Sequence, residues 1–265
     1  MRLEVHQIRA LKGQRQLTEL NVAGPEQARA AQAAGIDIVV SGRMDLRAAI
    51  RAAAPDTHFC FGLIHGRHVN ADEARRAAFE AMEAGADSIY CCMALDVVEA
   101  MAREAIPVVG HVGLVPQKAR WTGFRAFGKT AAEAKALWRD VKAYEDAGAF
   151  AVEMEVVAEP VATAISRATS LTTISMGSGA GCDVQYLFAV DVLGETRGRP
   201  PRHSRRYADL AAEHDRLQSL RIEAFRAFRS DVEAGAFPAP FEIVPMPEPE
   251  SLAFATWLAA QPQEA

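Results

Sequence analysis

Cysteine is scarce in this chain: Cys60, Cys91, Cys92 and Cys182 are the four among 265 residues. None forms a Cys-x-x-Cys pair, and four are too few for a disulfide scaffold, so they read as reduced residues of strands or loops. Long apolar runs are missing as well. No stretch of eighteen apolar residues occurs, which excludes an ordinary membrane-spanning helix. The first residues are interrupted by Arg2, Glu4 and Arg9 and lack the apolar centre of a secretory signal, so the expected location is the cytoplasm. An excess of positive charge is also lacking. A net charge of −5 gives no bulk attraction to nucleic acid or to an anionic membrane, and a small soluble metabolite is the expected partner. One basic run, Arg197, Arg199, Arg202, His203, Arg205 and Arg206, has no interleaved aromatics and reads as a solvated or subunit-facing loop.

What is present is a repeated design. Half the residues are hydrophobic, enough for one large core in a single domain spanning residues 1–265. Ala33 to Ser41, Glu83 to Cys92 and Asp146 to Glu155 each read as a helix end, a glycine and a strand. Gly35, Gly85 and Gly148 suit the left-handed position that stops a helix. Strands are expected at 16–21, 36–41, 58–64, 88–92, 107–111, 151–155 and 172–176, with an eighth after Asp183 that periodicity does not place. Helices are expected at 25–34, 45–53, 71–84, 95–104, 131–147, 159–168 and 207–234. Recurrent helix-to-strand units with short links imply a parallel sheet, and eight of them favour a (β/α)8 barrel, the TIM barrel of the α/β class. Residues 245–265 form a C-terminal tail, with Pro245, Pro247 and Pro249 breaking regular structure before an apolar stretch at 252–260 that reads as a docked helix.

One stretch carries more than fold. Ile106 to Val109 is apolar and short, a strand buried on both faces, and His111 follows before a loop punctuated by glycine and proline. In parallel α/β proteins the loops after the strands hold ligands, which makes His111 a site candidate. Gly110-His-Val-Gly-Leu-Val-Pro-Gln117 resembles the Gly-His-(Ile/Leu)-Gly-Leu-Thr-Pro-Gln signature of the ketopantoate hydroxymethyltransferases, in the phosphoenolpyruvate mutase and isocitrate lyase superfamily. Similarity continues through Thr122 to Gly128, Ala147 to Glu155, Gly177-Ser-Gly179, Asp183, Gln185 and Asp191. It covers roughly residues 16 to 238.

The resemblance implies a (β/α)8 barrel, Glu155 as the catalytic glutamate and His111 as a retained site residue. Strand alternation sets Glu153 on the face of Glu155. In the family, carboxylates on three strands hold a magnesium ion that stabilises an enolate, and methylenetetrahydrofolate supplies one carbon. Here those carboxylate positions carry Arg43, Gly62 and Cys92, and a family lysine becomes Tyr90. No metal is therefore expected, magnesium included, and Arg43 is expected to supply positive charge to a substrate carboxylate. A zinc set drawn from His65, His68, Cys92, His111 and Glu155 matches no zinc spacing. Tyr90, Cys92, Glu153, Arg125 and Ser178 complete the expected substrate contacts. The expected activity is making or breaking a carbon–carbon bond next to the carbonyl of a small carboxylate-bearing substrate, with Glu155 as general base. An authentic 3-methyl-2-oxobutanoate hydroxymethyltransferase and a non-catalytic small-molecule-binding or partner barrel stay open beside it. The resemblance also implies a homo-oligomer, with a decamer as the family precedent.

Overall fold

The computed structural model describes residues 2–261; Met1 and residues 262–265, the end of the expected tail, lie outside the described residues. Eight parallel strands close into a barrel in sequence order: β1 Leu17–Asn21, β2 Ile38–Ser41, β3 His58–Gly62, β4 Ser88–Tyr90, β5 Val108–Gly113, β6 Ala151–Glu155, β7 Thr172–Met176 and β8 Val184–Phe188. Helices separate consecutive strands from β1 to β7, while β7 leads to β8 without one, and the architecture is the expected TIM barrel. The eighth strand forms only because β1 and β7 flank it, pairing Glu19 with Tyr186 and Ser175 with Gln185. Nothing in Val-Gln-Tyr-Leu-Phe announces that neighbourhood.

Alternation along each strand divides the core in two. Val39, Phe59, Phe61, Ile89, Val108, Val152 and Met154 pack outward against the helices. Leu17, Ile38, Val40, Cys60, Val109, Ala151, Ile174, Val184 and Tyr186 fill the interior. The helix Ala71–Glu83 shows how the outer layer closes: it buries Ala74, Ala77, Ala78 and Ala81, one stripe at helical spacing. Its start is fixed by the Asn70 side chain accepting from the Glu73 amide, while the Glu73 carboxylate reaches the Val69 amide, one residue before the cap. Gly85 and Gly148 stand at φ +99° and +86°, the left-handed stops the repeats require.

Two features of the fold bear on the site. A helix absent from the sequence reading, Val5–Ala10, brings Ile8 into the interior cluster, and the Leu3 carbonyl lies 2.8 Å from His58 Nδ1. The N-terminal segment thus meets the barrel from the end opposite the strand C-termini. Strand β5 also runs two residues past its expected end, to Gly113, because all five residues from Val109 pair with β6. His111 is therefore inside a strand.

By its internal contacts the chain divides into two compact units, Met1–Leu210 and Ala211–Ala265. The second holds most of a long helix, Leu210–Glu233, and a shorter one, Glu248–Ala259, which begins before the apolar stretch expected to form it. Neither helix buries a residue.

Candidate active site

The register of β5 on β6 sets His111 beside Glu153 and Gly113 beside Glu155. Register partners in a sheet point to the same side and residues two apart share a face, so His111, Glu153 and Glu155 all turn inward. They line a cavity of about 550 Å³ with Tyr90 of β4, Glu19 of β1 and Tyr186 of β8. His111 and Glu153 are 2% and 4% exposed. The His111 Nε2 atom lies 3.2 Å from Glu155 Oε2, close enough for an ion pair but not aligned as a hydrogen bond. Its Nδ1 atom meets the Tyr90 hydroxyl, which fixes the ring.

Burial is the largest influence on His111 and depresses its pKa, but the carboxylates of Glu153 and Glu155 outweigh it and the net shift is upward. The ring is thus biased to imidazolium. Burial pushes Glu19 up to about 8, with Glu153 adding to it. Glu153 is pushed up to about 7 by burial, with His111 opposing and Glu155 reinforcing.

Two further contacts hold Glu155 in place. The Ser178 hydroxyl donates to the Met154 carbonyl at 2.6 Å and accepts from the Val157 amide at 2.9 Å, clamping the backbone on both sides of Glu155. Val156, the next residue, stands at φ +52°, a left-handed conformation that costs a β-branched residue about 1–3 kcal/mol. Ser178 therefore supports the strand end from beneath and does not line the cavity.

The other expected contacts separate. The Arg43 guanidinium forks onto Asp45 at 3.1 and 2.8 Å with half its side chain exposed, and it is not among the residues that line the cavity of His111 and Glu155. Arg125 bonds Glu133 at 2.7 Å and lies over the Phe127 ring. With Cys92 and Lys118 it lines a neighbouring cavity of about 710 Å³, which shares His65 and His111 with the first. Burial pushes the Cys92 thiol up, keeping it protonated. Sequence reading missed Glu19 and Tyr186. Glu19 was findable, because alternation places it on the face of the buried Leu17; Tyr186 required the unplaced eighth strand.

The magnesium site implied by resemblance does not fit these residues. Of its three positions, Arg43 is engaged by Asp45, Gly62 has no side chain and Cys92 holds a neutral thiol, so no step is derived through that ion. One different group, His111, Glu153 and Glu155, offers three ligand atoms within 4.8 Å of one another. Its nitrogen donor suits a transition ion better than magnesium.

The buried acids make a pH prediction. Glu19 and Glu153 bind a proton more tightly folded than unfolded, so the stability they contribute is full below the ordinary 4.5 and is lost as pH rises through about 7 and 8. His111, also raised, adds stability with the same sign, present below its ordinary 6.5 and lost above its folded value. Replacing Glu19 by Gln should raise unfolding stability at pH 9 by roughly 1–3 kcal/mol relative to wild type and change little at pH 4. Chemical denaturation at both pH values checks this; a Gln variant less stable than wild type at pH 9 refutes it.

Comparison with known proteins shows what the chain is similar to. A family model described as ketopantoate hydroxymethyltransferase matches residues 43–240. The 3-methyl-2-oxobutanoate hydroxymethyltransferase of Cenarchaeum symbiosum is 38% identical over 172 residues, covering 63% of this chain and 63% of that protein. The protein of that name from Oleidesulfovibrio alaskensis is 39% identical over 154 residues, covering 58% and 51%. The chain spans between half and two thirds of the length of these curated relatives. Among solved structures, 2,3-dimethylmalate lyase, a PEP mutase/isocitrate lyase superfamily member, aligns with a TM-score of 0.58 at 14% identity over 88% of this chain and 100% of that one. Phosphonopyruvate hydrolase in complex with oxalate and Mg++ aligns at 0.53 and 15%, over 97% and 98%. These two likenesses concern the fold alone.

Proposed function

Because the chain belongs to the ketopantoate hydroxymethyltransferase family, we propose that it makes or breaks a carbon–carbon bond next to the carbonyl of a small substrate, with Glu155 as general base and without magnesium. The observation that carries this reading is the meeting of His111 and Glu155, 3.2 Å apart, in a cavity at the strand C-termini. In the forward sense Glu155 takes a proton from the carbon beside the carbonyl. The negative charge that gathers on the carbonyl oxygen is met by the positive charge of His111, whose ring lies beside Glu155. The resulting enolate attacks an electrophilic carbon; in reverse, bond cleavage leaves the same enolate, which Glu155 reprotonates. Methylenetetrahydrofolate is the one-carbon donor that the family resemblance suggests.

Proton exchange isolates the first step. In deuterated buffer with excess EDTA, the protein should exchange the protons next to the carbonyl of a small ketone faster than buffer alone, as followed by NMR. Exchange that stops on chelation and returns with magnesium would favour the authentic magnesium-dependent hydroxymethyltransferase. Homo-oligomeric assembly belongs to the same proposal, supported by exposed Phe225, Leu252, Phe254 and Trp257. A solution mass above the 28.6 kDa of one chain checks it.

A further inference from the structure

The cavity that holds His111 and Glu155 is built for the wrong sign of charge if its substrate is an anion. Glu19, Glu153 and Glu155 line it, no lysine or arginine does, and the arginine expected there, Arg43, is held by Asp45. Two histidines, His65 and His111, are the cation-forming groups of its lining, and His111 lies against Glu155. Glu19 Oε2 is buried without a hydrogen-bond partner among the described residues, and Glu153, also buried, has its carboxylate within 4.8 Å of Glu155 and the His111 ring. An orphaned buried carboxylate costs several kcal/mol unless a proton or a cation joins it. The wall beside these acids is aromatic: Tyr186 and Phe188 stack at 5.8 Å between centroids, and both line the cavity, a surface that attracts an organic cation.

We propose that the substrate of this site carries a protonated amine, bound by Glu153 and Glu19 against Tyr186, beside the carbonyl whose neighbouring proton Glu155 removes. This rests on the functional reading above and names its substrate class. An ammonium group close to the carbonyl makes the adjacent carbon more acidic, and it places positive charge near the developing enolate. Glu19 Oε2 then has a partner that it lacks in the free protein. Glu155 stays free to act as base.

Three small ketones test the charge preference on the full chain by calorimetry at pH 7: aminoacetone, hydroxyacetone and pyruvate. Aminoacetone should bind at least about tenfold more tightly than hydroxyacetone, a difference of about 1.4 kcal/mol, and pyruvate should bind most weakly. Glu153→Gln should reduce aminoacetone to the level of hydroxyacetone, and Glu19→Gln should weaken it in the same direction. Glu155→Gln should keep the preference while losing proton exchange. If no ketone exchanges protons but the amine preference stands, the functional reading falls and the assignment of a cation site survives. Pyruvate binding more tightly than aminoacetone overturns the proposal, as does no aminoacetone binding at about 10 mM or a preference that survives both Glu153→Gln and Glu19→Gln. So does a zinc, manganese or magnesium ion bound one to one below about 10 µM and lost in Glu153→Gln, because the three side chains would then be metal ligands.

Discussion

Replacing Glu155 by Gln should lower enzyme-catalysed proton exchange by about two to four orders of magnitude while leaving thermal unfolding close to wild type. The amide keeps the shape of the carboxylate and can stay against the clamp that Ser178 makes on the Met154 carbonyl and the Val157 amide. It cannot accept a proton from carbon. It also removes one of the two carboxylates that favour the charged form of His111, so the electrophile weakens together with the base, and the two effects push the rate in the same direction. Measuring exchange by NMR beside a melting curve separates chemistry from folding. A Gln variant that exchanges at the wild-type rate would remove Glu155 from the mechanism, whatever its stability.

Gly113→Ala should be the most destabilising single methyl addition at the site, by roughly 3 kcal/mol or more, and should depress exchange as well. Gly113 stands at φ +89°, and a Cβ there would meet the Glu155 carbonyl oxygen at 2.3 Å and Val157 Cγ2 at 2.8 Å. The first contact is backbone, fixed by pairing of β5 with β6, and backbone cannot rotate out of the way as a side chain can. Relief would require separating the strand ends that bring His111 to Glu155. Gly123→Ala is the control: it also has positive φ, at +73° with ψ 164°, but nothing lies within 4 Å of the added methyl, so the backbone conformation alone should cost about 1–3 kcal/mol. Denaturant unfolding of both variants checks the contrast. Equal losses would mean that the close approach at Gly113 relaxes freely.

The same geometry gives the Gly-His-Val-Gly motif a physical meaning. Its first glycine, Gly110, would drive a Cβ into the ring of Tyr144 at 2.4 Å, and its second into the backbone of Glu155. Glycine on either side of His111 lets β5 approach its neighbours closely enough for the imidazole to lie within reach of two carboxylates.

How much of this was legible beforehand depended on the range of the interactions. Seven of the eight strands and the barrel they form could be read from the chain, because a helix, a left-handed glycine and a short apolar strand leave local marks that repeat. Two catalytic candidates, His111 and Glu155, were legible through motif resemblance, and Glu153 through alternation, a property of any strand. Tertiary structure alone decided the rest. It placed β8 by closing the barrel between β1 and β7, and brought Glu19 and Tyr186 into one cavity from chain ends far apart in sequence. Charge balance in the cavity is a sum over side chains from different strands, and no stretch of sequence contains that sum. The physical reason is closure: a barrel mouth gathers one or two residues from each of eight strands, so each contribution is locally coded while their combination exists only once the sheet has met itself.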